Sequence, residues 1–371
     1  MTSPGIAEGF TDNRFAQLRD LFTRNFEQGN DLGASVCITV DGETVVDLWG
    51  GHADAERVRP WQRDTLVNVY SCTKTMGALV ALMLADDRVL DFDAPVHAYW
   101  PEFAQNGKSD VLVRHVMSHS AGLPEWDVPL TVHDLYDWDK TTGLLAAQPL
   151  AWAPGSAPGY HSLTQGYLLG EIVRRCTGRT LGTILRERIA EPLQADFHIG
   201  LPAHEDARVA DLVAATPDAA TVDRGHSAVA LDITLPGTRA WRAAEIPAAN
   251  GFSNARAMAQ IHCMLANDGV IAGTRYLSTA MCRKALETQV EGQDRVLGRP
   301  MRFGLGFALG GGMMPSPDTL YWGGYGGSLV IIDMTTRTTF AYAMNRMSSA
   351  VAGDGRAFEL AMAMWEAQGL I

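Results

Sequence analysis

Hydrophobic and polar positions near both ends of the chain predict strand hairpins beside helices. Residues 13–28 carry large apolar side chains on one helical face. Residues 34–40 and 43–49 then form two apolar segments around an Asp-Gly pair, which is typical of a tight hairpin turn. Near the other end, residues 328–344 indicate a second hairpin, and residues 356–368 indicate a closing helix. The sequence therefore predicts one sheet built from both ends of the chain.

The middle of the chain has mostly helical patterns, interrupted by a stretch at residues 152–159 that is rich in proline and glycine. We expect helices at residues 73–85, 111–118, 162–176 and 181–189. The predicted fold is mixed α/β, with an antiparallel sheet flanked by terminal helices and a mostly helical inserted region.

The two regions predict two domains. Residues 1–71 and 236–371 would form the sheet domain, and residues 72–235 would form the helical domain. A cleft between them would be a favourable place for a small-molecule site.

Composition narrows the classes of protein that need to be considered. The chain has 371 residues, 47% of them hydrophobic and 19% charged, which excludes a disordered or fibrous protein. A formal net charge of −12 and the lack of a long basic run make nucleic acid and anionic membranes poor partners. The sequence does not indicate an oligomeric state.

The cysteines and the first residues bear on the expected compartment. The chain has 5 cysteines, an odd number without a C-x-x-C pair, so neither a disulfide framework nor a cysteine zinc site is indicated. Met1 to Phe10 lack the pattern of a secretory signal, and no apolar run is long enough to span a membrane. Because reduced thiols fit the cytosol, we expect a cytoplasmic protein.

The first string whose side chains could catalyse a reaction is Ser71-Cys72-Thr73-Lys74. On a helix, this spacing puts Ser71 and Lys74 on one face, about 5–6 Å apart at Cβ. The apolar residues that follow indicate a buried helix, and burial would favour a neutral amine able to accept a proton from serine. Alone, the string also fits a capping serine and a solvated lysine.

Two further strings are individually ambiguous. Tyr160-His161-Ser162 follows a flexible loop, and a phenol near an amine can serve as acid or base, but Ser162 could equally cap a helix. Residues 321–328 are rich in glycine and lead into an apolar strand. Such a strand could supply an oxyanion donor, or the glycines could simply form a β-bulge.

Taken together, the order Ser-x-x-Lys, Tyr-x-Ser and a glycine-rich strand resembles the serine β-lactamase and penicillin-binding-protein superfamily. Within it, the chain resembles the class C-like branch, and most of all its intracellular offshoot, the family VIII carboxylesterases. The likeness covers residues 30–350 and includes similar strings at 46–51, 119–124 and 249–253.

The resemblance implies roles for individual residues. Ser71 would be the acylated nucleophile, and Lys74 and Tyr160 would share the acid and base work. Backbone N–H groups of Ser71 and Tyr325 would bind the oxyanion. The residues expected to bind substrate are His161, Ser162, Trp322, Gly323 and Gly324.

Two of these positions depart from the β-lactamase pattern. Ser162 stands where an asparagine is usual, and Trp322 stands where a lysine or histidine is usual. The usual cation helps to hold a substrate carboxylate, whereas tryptophan offers an apolar surface and no charge. We therefore expect a serine carboxylesterase for small uncharged esters that uses no metal or organic cofactor. A β-lactamase, an amidase or peptidase, an acyltransferase and a non-catalytic binding protein are the alternatives.

Two other patterns resemble a second nucleophile site and a zinc site, but neither pattern is complete. Ser120 lies in a string close to G-x-S-x-G, but the first glycine and the leading strand of a nucleophile elbow are missing. His115 and His119 have the spacing of a zinc pair, but no glutamate follows His115 and no third ligand is evident. We expect packing or capping roles for these residues.

Overall fold

The structure is a computed structural model that describes residues 7–214, 229, 231–348 and 354–371. Its strands are β1 (Glu8–Thr11), β2 (Gly33–Val40), β3 (Glu43–Gly51), β4 (Val67–Asn68), β5 (Phe197–His198), β6 (Phe252–Ser253), β7 (Val270–Ile271), β8 (Thr274–Arg275), β9 (Val290–Gln293), β10 (Pro300–Phe303), β11 (Ala308–Leu309), β12 (Thr319–Gly323), β13 (Leu329–Asp333) and β14 (Thr338–Met344). Its α-helices are α1 (Ala16–Glu27), α2 (Thr73–Asp86), α3 (Val113–Met117), α4 (Trp138–Ala147), α5 (Thr164–Thr177), α6 (Leu181–Leu185), α7 (Glu191–Leu193), α8 (Arg239–Ala243), α9 (Ala255–Ala266), α10 (Thr279–Lys284) and α11 (Gly355–Gln368).

Both ends of the chain contribute to one antiparallel sheet, as the hydrophobic pattern predicts. Within the described ranges the sheet has nine strands in the order β1-β3-β2-β14-β13-β12-β11-β10-β9. Strands β2 and β14 pair along their whole length and join the two ends of the chain. The predicted Asp-Gly turn is present, because Asp41 and Gly42 have φ angles of 52° and 86°, the left-handed values that a tight hairpin requires.

Helices cover both faces of this sheet. The Thr339 hydroxyl donates to the backbone oxygen of Ala259 in α9 at 3.1 Å. The neighbouring Thr338 accepts from the Gln368 amide in α11 at 2.7 Å. Since successive side chains of a strand point to opposite faces, α9 and α11 lie on opposite sides of the sheet. Helix α1 packs against α11.

The predicted helices are present, with shifts at their ends. The predicted helix at 181–189 is α-helical only to Leu185, and residues Arg186–Ala190 form a π-helical turn. None of the described helices has the length and apolar character needed to cross a lipid bilayer. The predicted helical region 72–235 includes residues outside the described ranges.

Helix α2 lies deep in the molecule, and this burial determines the environment of Lys74. Every residue from Thr73 to Leu84 is buried, as the continuous apolar pattern indicates. Strand β4, which comes just before α2 in the chain, belongs to a second, smaller sheet with the order β4-β6-β5.

Candidate active site

Ser71 lies at a sharp turn between β4 and α2. The preceding residue, Tyr70, has a φ of 43°, a left-handed value that is uncommon for a tyrosine. The turn is fixed from one side by β6 and its neighbours, since the Val69 N–H donates to the Gly251 oxygen at 2.9 Å. Such backbone strain concentrates at functional sites and here places the Ser71 side chain at the start of a helix.

Lys74 is the second residue of α2, three residues after Ser71, and is only 1% exposed. Its Nζ is 3.0 Å from the Ser71 hydroxyl oxygen. It also donates to the backbone oxygens of Ser162, at 2.7 Å, and Ala248, at 2.9 Å. Two carbonyl groups from separate segments therefore hold the amine in place beside the serine.

Tyr160 completes the group that the sequence predicts. Its hydroxyl lies 2.6 Å from the Ser71 hydroxyl oxygen. The Lys74 Nζ lies 4.9 Å from the centre of the Tyr160 ring. The structure thus brings a hydroxyl, an amine and a phenol, separated by up to 89 residues in the chain, into direct contact.

The glycine-rich end of β12 passes directly beside the Ser71 turn. A Cβ atom on Gly324 would lie 2.3 Å from the Val69 oxygen and 2.1 Å from the Ser328 hydroxyl, so only glycine fits this position without rearrangement. The Ser328 hydroxyl donates to the Val69 oxygen at 2.9 Å. The ring of Tyr325 meets the ring of Tyr70 edge-on, with centroids 5.4 Å apart. These contacts place Gly324 and the ring of Tyr325 beside the turn that carries Ser71.

Trp322 is almost completely buried, with 5% of its surface exposed. Its ring stacks on His119, with centroids 5.3 Å apart, and lies 6.0 Å from the Tyr160 ring. The expected apolar surface is present, but it packs against Tyr160 and His119, and little of it is exposed. Gly323 is exposed at the end of the same strand.

His161, which the resemblance places among the substrate-binding residues, lies inside the protein with its ring bonded to the backbone. The residue is fully buried, its Nε2 accepts from the Leu123 N–H at 3.0 Å, and its Nδ1 bonds to the Gly159 oxygen. Because a carbonyl can only accept, Nδ1 carries the hydrogen and both ring nitrogens are used. Burial lowers the pKa of His161 to about 4, so the ring is neutral near pH 7. Ser162 is partly buried, and its carbonyl accepts from Lys74.

His119 is the aromatic support that the sequence pattern did not assign to this site. Its ring contacts the rings of Tyr160, Phe303 and Trp322 at centroid distances of 5.0, 5.1 and 5.3 Å. Its Nδ1 accepts from the His161 N–H at 3.1 Å. Burial, with His161 and Lys74 nearby, lowers the pKa of His119 well below the usual value. The sequence singled out His119 only in the string at 119–124 and in its spacing from His115, and neither pattern pointed to Tyr160.

The two rejected patterns have the structural roles that we expected. Ser120 is fully buried, and its hydroxyl bonds to that of Ser118 at 2.9 Å. The His115 Nδ1 accepts from the Leu112 N–H at 3.0 Å and caps the start of α3.

Comparison with known proteins places the chain in a family. A family model described as Beta-lactamase matches residues 19–363. The chain is 36% identical to "Esterase/beta-lactamase LipL" of Mycobacterium tuberculosis, over 92% of this chain and 83% of that protein.

Solved structures agree with this family. The chain resembles a crystal structure of a family VIII carboxylesterase, with a TM-score of 0.92, 42% identity and coverage of 97% of this chain and 99% of the other. A penicillin-binding protein homologue from Caulobacter crescentus has a TM-score of 0.89 and 37% identity, with coverage of 97% and 99%. The fold is therefore of the β-lactamase/transpeptidase type. The chain belongs to the beta-lactamase family.

Proposed function

We propose that the protein is a serine carboxylesterase that hydrolyses small uncharged carboxylic esters through an acyl-enzyme on Ser71. The observation that carries the proposal is the contact of the Ser71 oxygen with the Tyr160 hydroxyl, at 2.6 Å, and with the buried Lys74 amine, at 3.0 Å. Similarity to the structure of a family VIII carboxylesterase, at 42% identity, and to LipL, at 36%, supports the same activity.

The surroundings of Lys74 support a role in proton transfer. As a neutral amine, Lys74 has two hydrogens and one lone pair. The backbone oxygens of Ser162 and Ala248 each accept one hydrogen, so the lone pair is directed to the third neighbour, Ser71. As an ammonium, the same group would donate to Ser71 instead. The arrangement can therefore accept a proton from the serine and return it without moving a side chain.

In the first half of the reaction, the Ser71 oxygen would form a bond to the ester carbonyl carbon. Its proton would pass to Lys74 and Tyr160, which act as one base. The carbonyl oxygen becomes negative and would bind the backbone N–H groups of Ser71 and Tyr325, at the positive end of α2. Each such donor contributes about 10²–10³-fold to the rate in well-studied hydrolases.

In the second half, the bond between the carbonyl carbon and the alcohol oxygen breaks. Tyr160 would give the departing oxygen its proton, and the alcohol would leave the acyl group on Ser71. A water molecule would then attack the acyl-enzyme, with its proton taken by the same amine and phenol pair. Release of the acid returns the hydrogen to Ser71.

The preference for uncharged esters rests on Trp322. An aromatic ring stands where related enzymes carry a cation, and the ring is packed against Tyr160. A substrate carboxylate would find no countercharge from this position. Substrate would bind in a cleft between a sheet domain of residues 1–71 and 236–371 and a helical domain of residues 72–235, with Ser162, Gly323 and Gly324 at its edge.

The thiols support a reducing compartment such as the cytoplasm as the place of action. Each of the 5 cysteines is unpaired in the structure. Four of them are buried, and burial raises the pKa of the Cys72 thiol to about 12, which makes it unreactive.

A β-lactamase activity of the same site is the second candidate, because the relative at 36% identity carries both activities in its name. Hydrolysis of p-nitrophenyl butyrate, the matching p-nitroanilide and nitrocefin by one preparation separates the classes. We expect the ester to be preferred, with all hydrolysis lost in Ser71→Ala. Retention of more than about a tenth of the esterase rate in Ser71→Ala would contradict the proposal, because loss of the nucleophile normally costs several orders of magnitude.

A further inference from the structure

Asp294 is a buried carboxylate on the loop between β9 and β10, and it contacts the backbone of Tyr160. The residue is 1% exposed. Its Oδ1 accepts from the N–H groups of Val296, at 2.9 Å, and Leu297, at 2.7 Å, which folds the loop around it. The same oxygen accepts from the Tyr160 N–H at 3.1 Å. One carboxylate oxygen therefore links this edge of the sheet to the tyrosine of the site.

A second hydrogen bond joins the same two segments in the opposite direction. The Arg295 N–H donates to the Pro158 oxygen at 2.9 Å. The guanidinium of Arg295 also lies over the ring of Trp152, 5.5 Å from its centre. Because one bond goes to each side of Gly159, the loop holds the backbone on both sides of that residue, up to Tyr160.

The cost of this arrangement indicates that it has a role. No cationic side chain of the described residues pairs with Asp294, and its Oδ2 has no hydrogen-bond partner among them. A buried carboxylate of this kind is expensive, and an unsatisfied buried oxygen in a folded protein calls for an explanation. What the side chain provides is one oxygen that accepts from three backbone N–H groups at once, which ties its own loop to Tyr160.

We infer that Asp294 is a positioning residue that fixes Tyr160 so that its hydroxyl stays in contact with Ser71; this role rests on the function proposed above. The Tyr160 ring is packed against His119 and Trp322, which restrain its plane. The backbone bond to Asp294 restrains its position along that plane. Since the hydroxyl lies at the far end of a rigid ring, a shift of the backbone is passed on to it. A misplacement of about 1 Å can cost a catalytic step about 10²-fold.

The test compares kcat and KM for a short-chain p-nitrophenyl ester in Asp294→Ala, Asp294→Asn and the wild type. We expect Asp294→Ala to lower kcat by about 10- to 100-fold with KM changed by less than about threefold, because positioning of the reacting group is lost while substrate contacts remain. Asp294→Asn keeps an oxygen in the place of Oδ1 and should retain at least about a third of kcat.

A matched control is Asp333→Ala. Asp333 is 2% exposed and also accepts from two backbone N–H groups of its own turn, those of Thr335 and Thr336. That turn connects β13 and β14, and the side chain of Asp333 bonds to this turn and to the Ser316 hydroxyl rather than to the backbone of Tyr160. We expect Asp333→Ala to lower the melting temperature as Asp294→Ala does, but to leave kcat near the wild-type value.

Each outcome supports or overturns the inference. Full kcat in folded Asp294→Ala, or a loss of kcat in Asp333→Ala equal to that in Asp294→Ala, would overturn it. If Asp294→Ala does not fold, Asp294→Glu replaces it, since one more methylene displaces the acceptor oxygen but keeps the charge; unchanged kcat there is also contradictory. Ser71→Ala is measured in the same series: if it remains active, the proposed function fails, whereas if only Asp294 is dispensable, the positioning role alone fails.

Discussion

At the scale of single residues, the fold holds Lys74 in surroundings that a lysine normally avoids. The side chain is buried, yet its amine has acceptors at 2.7, 2.9 and 3.0 Å. The sequence could predict the contact with Ser71 from the spacing of three residues, and a turn in which the Lys74 N–H donates to the Ser71 carbonyl at 3.0 Å brings the two together. It could not predict the carbonyl groups of Ser162 and Ala248, which lie 88 and 174 residues away and reach the amine only through the tertiary fold.

Lys74→Arg should abolish ester hydrolysis although the variant remains folded. The guanidinium keeps its proton at working pH, so it cannot accept one from Ser71. We expect kcat to fall by at least about 10²-fold, the lower end of what general base catalysis contributes. The control is Lys140→Arg at an exposed ion pair with Asp134, which should retain full activity. Robust turnover by Lys74→Arg in a stopped p-nitrophenol assay would mean that the base lies elsewhere.

At the scale of elements, local signals were sufficient for some strands and insufficient for others. The hairpin of β2 and β3 was predictable because alternation and an Asp-Gly turn lie within 20 residues. Strands β9 and β10 were missed: they contain Gly292 and Pro300, and β9 is the edge strand of the sheet, with two of its four residues exposed. Their connecting loop carries Asp294. Because the strand pattern on either side of this loop is weak, the sequence could not predict the contact of Asp294 with Tyr160.

Gly324→Ala should damage the site through the position of an element. An added Cβ would lie 2.3 Å from the Val69 oxygen, so β12 must move away from the turn that carries Ser71. We expect kcat to fall by about 10²-fold or more, which is the loss expected when one oxyanion donor is misplaced. The melting temperature should also be lower. The control is Gly143→Ala within α4, where an added Cβ meets no atom within 4 Å and a helical alanine stabilises. Equal activity of the two variants would contradict the close approach described here.

At the scale of the whole molecule, the order of strands explains how distant motifs meet. Pairing of β2 with β14 joins the two ends of the chain, and β12 lies two strands from β14. The single sheet was predictable from the two terminal hairpins. The pairing of β2 with β14 and the orientation of the helices against it follow from packing over 300 residues, which no local pattern contains.

Buried histidines should make the whole fold sensitive to acid. Burial lowers the pKa of His161 and His262 to about 4, and that of His119 well below the usual 6.5. Below pH 6.5 these histidines bind protons in the unfolded chain but stay neutral in the folded protein. The free energy of unfolding therefore decreases as the pH falls toward about 4. Urea unfolding midpoints between pH 7 and 4.5 measure this. His262→Gln should make the unfolding midpoint depend less on pH. His204→Gln, which changes a side chain that is 77% exposed, should leave this dependence as it is in the wild type. An unfolding midpoint that does not change with pH would contradict the burial of these histidines.

The central claim is that Ser71 is the nucleophile, and covalent labelling tests it most directly. The purified protein is treated with a fluorophosphonate probe, and the labelled peptide is identified by mass spectrometry. We predict one adduct per chain, on Ser71, formed in step with loss of esterase activity and absent from Ser71→Ala. An unlabelled Ser71, or an adduct on another serine that accounts for the loss of activity, would contradict the account.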